Sequence, residues 1–498
     1  MKTVVLILCF VGFIVQLFKW LNVAQKEHYL SFNRSIIRWA KLPESVVMLV
    51  SIFGFAGLSV YKLYFALVSV IVACLYPLLL PLRGAKFTRR LIFVTLGTVL
   101  IFALLTLFNL IIIQQNFKSQ VEIVIVMLTP FLIEIVLTCL RPLENILSRN
   151  YVKKSEKRLE KVKPITVAIT GSYGKTSTKF LLNQLISSEF ETAVSPASYN
   201  NRAGITKTVL DVMTDSSQVL IAEIGTYGKG EINSIVSWLK PTIVAITAIG
   251  PVHLERMKSL ENILRFKSEI FLNASTVVLN IDDDYLRSIK ADLLNKTVIT
   301  CSSSVASEAT VVVDSNNNEI RVDGQIYKYK SDTNIPSSNL AIAIGMGIAL
   351  GVSGDILVSN ISNVQQVRNR SSIGESEGGV YIIDDTFNSN PAGALMALEI
   401  GLKTLNSSKA ANKLYYVTPG MVELGKIQFA ENEKIAKLVK DSGGELIVVG
   451  RTNKKALLAG YGSPKKFRKL KNAVSHVKSV SKPGDVVIYE NDLPSHYP

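Results

Sequence analysis

Cysteine is scarce in this chain: four residues in 498. Cys9, Cys74 and Cys139 lie in apolar runs and Cys301 stands alone. No metal-type spacing and no disulfide framework exists, so a zinc module and a small cross-linked secreted fold are excluded. Acidic residues are also in deficit, 39 against 55 basic, which leaves a formal charge of +16. A basic stretch near the C-terminus, Lys465, Lys466, Arg468, Lys469 and Lys471, has no aromatic stacking pattern with it. That argues against nucleic acid; a solvated face, or contact with headgroups or an anionic substrate, remains. No internal repeat is present. No A-x-A cleavage site follows the first apolar run, which favours a span over a signal peptide.

Apolar residues are what the chain has in excess. Hydrophobic residues make up 48%, and the mean hydropathy is +0.31. The excess is concentrated before residue 142, in runs over Val4–Leu21, Val46–Tyr61, Leu63–Leu82, Leu91–Ile113 and Ile123–Leu140. Each approaches the length of a membrane-crossing helix, so five spans are expected, the second and third alternatively forming a re-entrant pair. Basic residues crowd alternate loops, with Arg83, Lys86, Arg89 and Arg90 in one and eight bases against three acids over residues 141–164. The positive-inside rule then predicts a multi-pass protein of the cytoplasmic membrane, N-terminus outside, with everything after residue 141 in the cytoplasm and the basic loops facing membrane lipids. Glu134, inside the fifth run, is a candidate functional carboxylate with no obvious basic partner in the spans.

After residue 164 the pattern changes to alternating strands and helices, which predicts α/β architecture with mostly parallel sheets. Strand-like runs cover Thr166–Thr170, Val219–Ile224, Ile243–Thr247, Val277–Asn280, Val380–Ile383, Tyr415–Thr418, Leu446–Val449 and Val486–Tyr489. Asn316–Asn318 reads as a hairpin turn. A Gly/Ser/Asn-rich break near 350–378 suggests two α/β domains. The expected organisation is a transmembrane domain over 1–142, a basic linker over 143–164, an ATP-binding domain over 165–350 and a second, Rossmann-like domain over 365–498.

The chemistry begins at Thr170-Gly-Ser-Tyr-Gly-Lys-Thr-Ser177. Gly171 and Gly174 permit a tight loop between a strand and a helix, Lys175 adds a point charge, and Thr176 offers a hydroxyl to Mg2+. Ile169 stands where the common phosphate loop has its first glycine. Glu223 ends a strand at the edge where α/β sheets bind ligands, and so is placed to share a magnesium ion with Thr176. His253 follows another strand end. Lys267, by itself, reads as a routine surface lysine.

These segments together resemble the Mur ligases, and within them the branch that adds D-alanyl-D-alanine. The matching motifs include the loop, Tyr199-Asn-Asn-Arg-Ala-Gly204, Glu223-Ile-Gly225, His253-Leu-Glu255, Lys267-Ser-Glu-Ile270, Asp384-Asp-Thr-Phe-Asn-Ser-Asn-Pro391 and Met421-Val-Glu-Leu-Gly425. The family's loop does not require a glycine at Ile169. The resemblance implies a Mur-type P-loop domain and an ATP-dependent, ADP-forming acid–amino-acid ligase of cell-wall synthesis, with ATP and Mg2+ as cofactors and an acyl-phosphate intermediate. It implies that Gly171, Ser172, Tyr173, Gly174, Lys175, Thr176 and Ser177 hold the phosphates. Asn280 would meet the adenine, Asp385 the ribose and Arg370 the phosphates. Thr176 and Glu223 would bind one magnesium; His253 and a carbamylated Lys267 would bind a second. Asn200, Asn201, Asn388 and Asn390 would border the substrates.

The expected partners are a lipid- or UDP-linked wall precursor and an amino acid or dipeptide, with other wall-synthesis enzymes as further associates. The chain departs from the family in four places. Membrane-like runs stand where soluble members have a nucleotide-sugar domain. Ile335-Pro-Ser-Ser-Asn339 lacks a family histidine, Gln428-Phe-Ala-Glu-Asn432 lacks another, and Tyr489-Glu-Asn-Asp-Leu-Pro494 replaces a Lys-Gly-Ser-like ending. An ATP-binding scaffold without ligase activity is the alternative.

Overall fold

The computed structural model describes residues 2–26, 88–113, 118–196, 199–331, 335–365, 372–375, 378–386, 390–407 and 412–491. The chain divides into two compact units, one running to Leu147 and the other from Ser148 to Asp492.

The first unit is helical: Lys2–Lys26, Arg89–Ile112, Lys118–Met127 and the start of Thr129–Val162. Its core packs Phe13, Leu17, Leu91, Val94, Ile133 and Leu137, with Phe13 and Phe102 stacked at 3.6 Å. Glu122 is buried and accepts from Thr106 Oγ1 at 2.8 Å and Asn109 Nδ2 at 2.9 Å. Glu134 has a basic partner that its sequence neighbourhood concealed: Arg141, two turns on, lies 3.6 Å away.

The expectation of a multi-pass membrane protein with an outside N-terminus is corrected here. Among the described residues, one helix, Arg89–Ile112, is long and apolar enough to cross a membrane. The run Ile123–Leu140 is a broken pair bent by 56°. Pro130 follows the break, where its ring and missing N–H oppose helix continuity. The first run lies within helix Lys2–Lys26, in which the apolar stretch found is Cys9–Gln25. Val46–Tyr61 and Leu63–Leu82 lie outside the described residues. Windowed hydropathy counts apolar residues; it does not register where a helix breaks.

Helix Thr129–Val162 continues through the basic stretch. Its end joins the second unit, where Lys161 Nζ lies 2.7 Å from Asp215, Arg158 pairs with the same carboxylate, and Val152 enters the core.

The second unit contains two sheets. The larger is built from β1 (Ile165–Thr170), β2 (Thr192–Val194), β3 (Val219–Glu223), β4 (Ile243–Ile246), β5 (Thr276–Asn280), β6 (Thr297–Ser302), β7 (Val311–Asp314), β8 (Glu319–Val322) and β9 (Gln325–Lys328). The order is β2-β3-β1-β4-β5-β6-β7-β8-β9. Pairing is parallel as far as β7, and antiparallel from β7 to β9. The parallel strands are buried on both faces, as helix-covered sheets require: β3 is buried along its whole length. Apolar helices Lys175–Ile186 and Ser337–Ala349 cover one face. The hairpin expected at Asn316–Asn318 joins β7 to β8, with Asp314 Oδ1 accepting from Asn316 N at 2.9 Å.

The smaller sheet contains β10 (Ser372–Glu375), β11 (Tyr381–Asp385), β12 (Leu414–Thr418), β13 (Glu445–Val449), β14 (Lys465–Phe467) and β15 (Val486–Glu490). Its order is β10-β11-β15-β12-β13-β14, parallel except for β10 against β11. The α/β expectation therefore holds for the chain after residue 164. The strands sequence reading passed over are short, or, like β6, lack a clear alternation. The basic stretch near the C-terminus begins on β14 at the sheet's edge, where Lys465 meets Glu445 at 2.9 Å.

Candidate active site

The loop between β1 and helix Lys175–Ile186 is shaped by two glycines at positive φ, where a Cβ would be crowded. Gly171 has φ +154°, and a Cβ there would lie 1.9 Å from Thr247 Oγ1. Gly174 has φ +82°, and its Cβ would come within 2.5 Å of Asn339 Oδ1. Cross-bonds hold the loop to β4's end: Ser172 N donates to Ala248 O at 2.7 Å, Ser172 Oγ to Gly250 O at 3.0 Å, and Thr247 Oγ1 to Tyr173 O. Tyr173 packs on Gly250, where a Cβ would sit 2.4 Å from its ring. Burial, assisted by Asp283, raises its phenol above the ordinary range.

Two lysines converge on the loop. Lys175 Nζ donates to Gly171 O at 2.6 Å and Ser172 O at 3.2 Å. Lys267 Nζ donates to the same Gly171 carbonyl at 2.8 Å and is buried, not the surface lysine its helical context suggested. Burial and then the nearby Lys175 push its amine well below the usual lysine range.

A second cluster surrounds Glu223 at the carboxyl end of β3. Its carboxylate accepts from Thr176 Oγ1 at 2.8 Å, Lys179 Nζ at 3.1 Å and Asn200 Nδ2 at 3.3 Å. Burial alone would raise the Glu223 carboxyl. Lys179, Lys175 and the hydrogen bonds from Thr176 and Lys179 outweigh it and hold the group below the ordinary range. Lys179 is fully buried and was not singled out from the sequence. The available signal was its position one turn after Lys175, on the side of the helix facing β3.

His253 takes φ +52°. Its Nδ1 pairs with Glu423, 170 residues away, and Tyr227 lies against the ring at 4.5 Å. Asn280 Nδ2 is bonded to Thr247 O at 3.2 Å. Asn201 and Asn390 use their side chains locally: Asn201 caps helix Arg202–Lys207 by accepting from Gly204 N at 2.9 Å, and Asn390 accepts from Gly393 N at 3.0 Å. Ser177 lies in the first helical turn, half-buried. Arg370 and Asn388 lie outside the described residues.

Asp385 ends β11 and pairs in register with Glu490 of β15. Glu490 is buried. It is bonded to the Thr418 hydroxyl through one oxygen, while Oε1 has no hydrogen-bond partner among the described residues. Burial pushes this carboxyl up to about 8; the Thr418 bond opposes the rise and Asp385 adds to it. With a folded value above the ordinary 4.5, the folded state keeps a proton that the unfolded chain releases. Stability is therefore fullest below about pH 4.5 and declines as pH rises to about 8. Glu490→Gln should flatten that decline in urea melts at pH 5, 7 and 9, with the variant the more stable at pH 9.

The residues fit a magnesium-bound nucleotide. Gly171 and Gly174 form a cradle that any Cβ would fill, and no side chain caps the following helix, which leaves its first N–H groups for an anion. Thr170 Oγ1, buried at the end of β1, has no partner among the described residues. Thr176 and Glu223 are the hard oxygen pair that Mg2+ takes when phosphates supply the rest. No three His, Cys, Asp or Glu side chains converge among the described residues.

Comparison with known proteins agrees with this geometry. Residues 169–365 match the Mur ligase middle domain. The UDP-N-acetylmuramoyl-tripeptide–D-alanyl-D-alanine ligase of Buchnera aphidicola is 26% identical over 334 residues, spanning 63% of this chain and 71% of that protein. Among solved structures, MurF from Acinetobacter baumannii superposes with a TM-score of 0.60 at 19% identity, covering 70% of this chain and 78% of that one. MurF ligase from Thermotoga maritima in complex with ADP gives 0.60 at 20% identity, covering 69% and 80%.

Proposed function

We propose that this Mur-type, ATP-dependent and ADP-forming acid–amino-acid ligase joins the amino group of an amino acid or dipeptide to a carboxylate of a UDP-linked cell-wall peptide precursor. ATP and Mg2+ are its cofactors. The carrying observation is the Glu223 cluster, which places Thr176, Lys179 and Asn200 on one buried carboxylate beside the phosphate loop. The acceptor and amine are those named for the Buchnera relative, a UDP-N-acetylmuramoyl-tripeptide and D-alanyl-D-alanine.

Bound ATP with magnesium would supply the γ-phosphoryl group that activates the acceptor carboxylate, with ADP leaving, and attack by the amine then expels inorganic phosphate as the amide bond forms. The chain's own groups position and neutralise, which is most of what this chemistry demands. Lys175 and the loop amides take the phosphates, and Lys175 exchanges its loop carbonyls for phosphate oxygens. Thr176 and Glu223 would hold one ion, with Lys179 keeping Glu223 ionised and aimed. His253 and Lys267, the latter as a carbamate, would serve a second ion. Asn200, bonded to Glu223 Oε1, links the acceptor side to that carboxylate. Residues 165–350 form the nucleotide domain and 365–498 the domain receiving the amine, with Asp385 on the ribose.

Release of ADP from labelled ATP tests this. Turnover should require both a UDP-linked muramoyl peptide and an amine such as D-alanyl-D-alanine. Turnover confined to lipid-linked acceptors would overturn the assignment of the carrier. Hydrolysis indifferent to both substrates would overturn the ligase reading in favour of a nucleotide-binding scaffold.

A further inference from the structure

His253 and Glu423 meet in an unusual way. They come from the two different sheets' connecting segments, and both adopt left-handed backbone, φ +52° and +64°, where non-glycine residues pay a conformational cost. The contact is fixed by more than the ion pair. Glu255 N donates to Glu423 O at 3.1 Å. Gly425, φ +60°, lies so close that its Cβ would touch the Glu255 backbone at 3.6 Å. Tyr227 lies tilted against the His253 ring, at 60° and 4.5 Å, and carries Arg256 over its own ring at 5.1 Å. Strained backbone persists where the surroundings over-determine it, and here both strained residues aim their side chains at each other.

We propose that Glu423 is a positioning residue for His253, supplied by the second domain to complete a cation site in the first. A carboxylate can only accept, so the Nδ1 facing Glu423 is the donor, and in the neutral ring Nε2 is the nitrogen left for a cation. Carboxylate–histidine–metal relays of this kind orient the ring, and their loss weakens metal affinity 10–100-fold. The consequence is a dependence between domains: the second ion is held well only while segment 421–427 lies against segment 253–257. The inference rests on the reading of His253 as a magnesium ligand.

The test uses the full chain with a non-hydrolysable ATP analogue and Mn2+ in place of Mg2+, counting bound Mn2+ by electron paramagnetic resonance. Wild type should bind two ions. Glu423→Ala should keep the first, which reports a folded loop, and weaken the second about 10–100-fold. Glu423→Gln, whose amide oxygen still accepts from Nδ1, should recover most of that affinity. Two tight sites in Glu423→Ala, with the second lost in His253→Ala, would overturn the positioning role alone. Two tight sites in His253→Ala would overturn the metal reading beneath it. Equal losses in the Ala and Gln variants would overturn the hydrogen-bond explanation.

Discussion

Glu223→Gln is expected to lower amide formation about 10²–10³-fold, the scale seen when one preorganised electrostatic group is removed from an active site, and to destabilise the fold as well. The second effect comes from Lys179. This ammonium is fully buried, and Glu223 lies 3.1 Å from its nitrogen. Breaking a buried pair from one side strands the other charge, at about 3–5 kcal/mol. Replacing both partners separates the two roles. Glu223→Gln with Lys179→Met should regain most of the lost stability in denaturant melts, because no charge remains stranded, yet stay inactive, because Thr176 alone holds magnesium poorly. A double variant with near-normal turnover would show that Glu223 serves the fold and not the ion.

Gly171→Ala should damage both nucleotide binding and stability. Its Cβ would meet Thr247 Oγ1 at 1.9 Å, and Thr247 is not free to yield, because it bonds Thr170 O at 3.3 Å and Tyr173 O. The φ of +154° adds strain for any L side chain. Overpacking of this kind costs about 1–3 kcal/mol, and the loop relieves it only by moving the carbonyl on which Lys175 and Lys267 both rest. Fluorescent ATP titration and thermal melts should show the two losses together. Gly228→Ala is the control, since nothing lies within 4 Å of a Cβ there.

How much of this was legible beforehand depends on the distance over which the information is stored. The strand–loop–helix at Thr170–Ser177 was readable because strand, glycines, lysine and helix are consecutive, and each constrains its neighbour's backbone. Glu223 was readable as a carboxylate at a strand end. The buried state of Lys267 was not: its helix carries lysines and arginines typical of a surface, and only the packing of that helix under the loop removes it from water. The side chains of Asn201 and Asn390 close helix starts, a local role open to any Asn before a helix. The membrane reading erred in the opposite direction. Apolar composition was taken for unbroken span length, and the break after Met127 and the Glu134–Arg141 pair become visible only once the helices are laid out.

Sequence by itself determined the α/β class after residue 164, the nucleotide loop and the family resemblance, because periodicity and glycine placement act through neighbouring residues. Tertiary structure alone decided which charges are paired. Lys179 with Glu223, His253 with Glu423 and Asp385 beside Glu490 join residues 44, 170 and about a hundred positions apart. Their ionisation and aim follow from burial and proximity, which exist only after the sheets have formed.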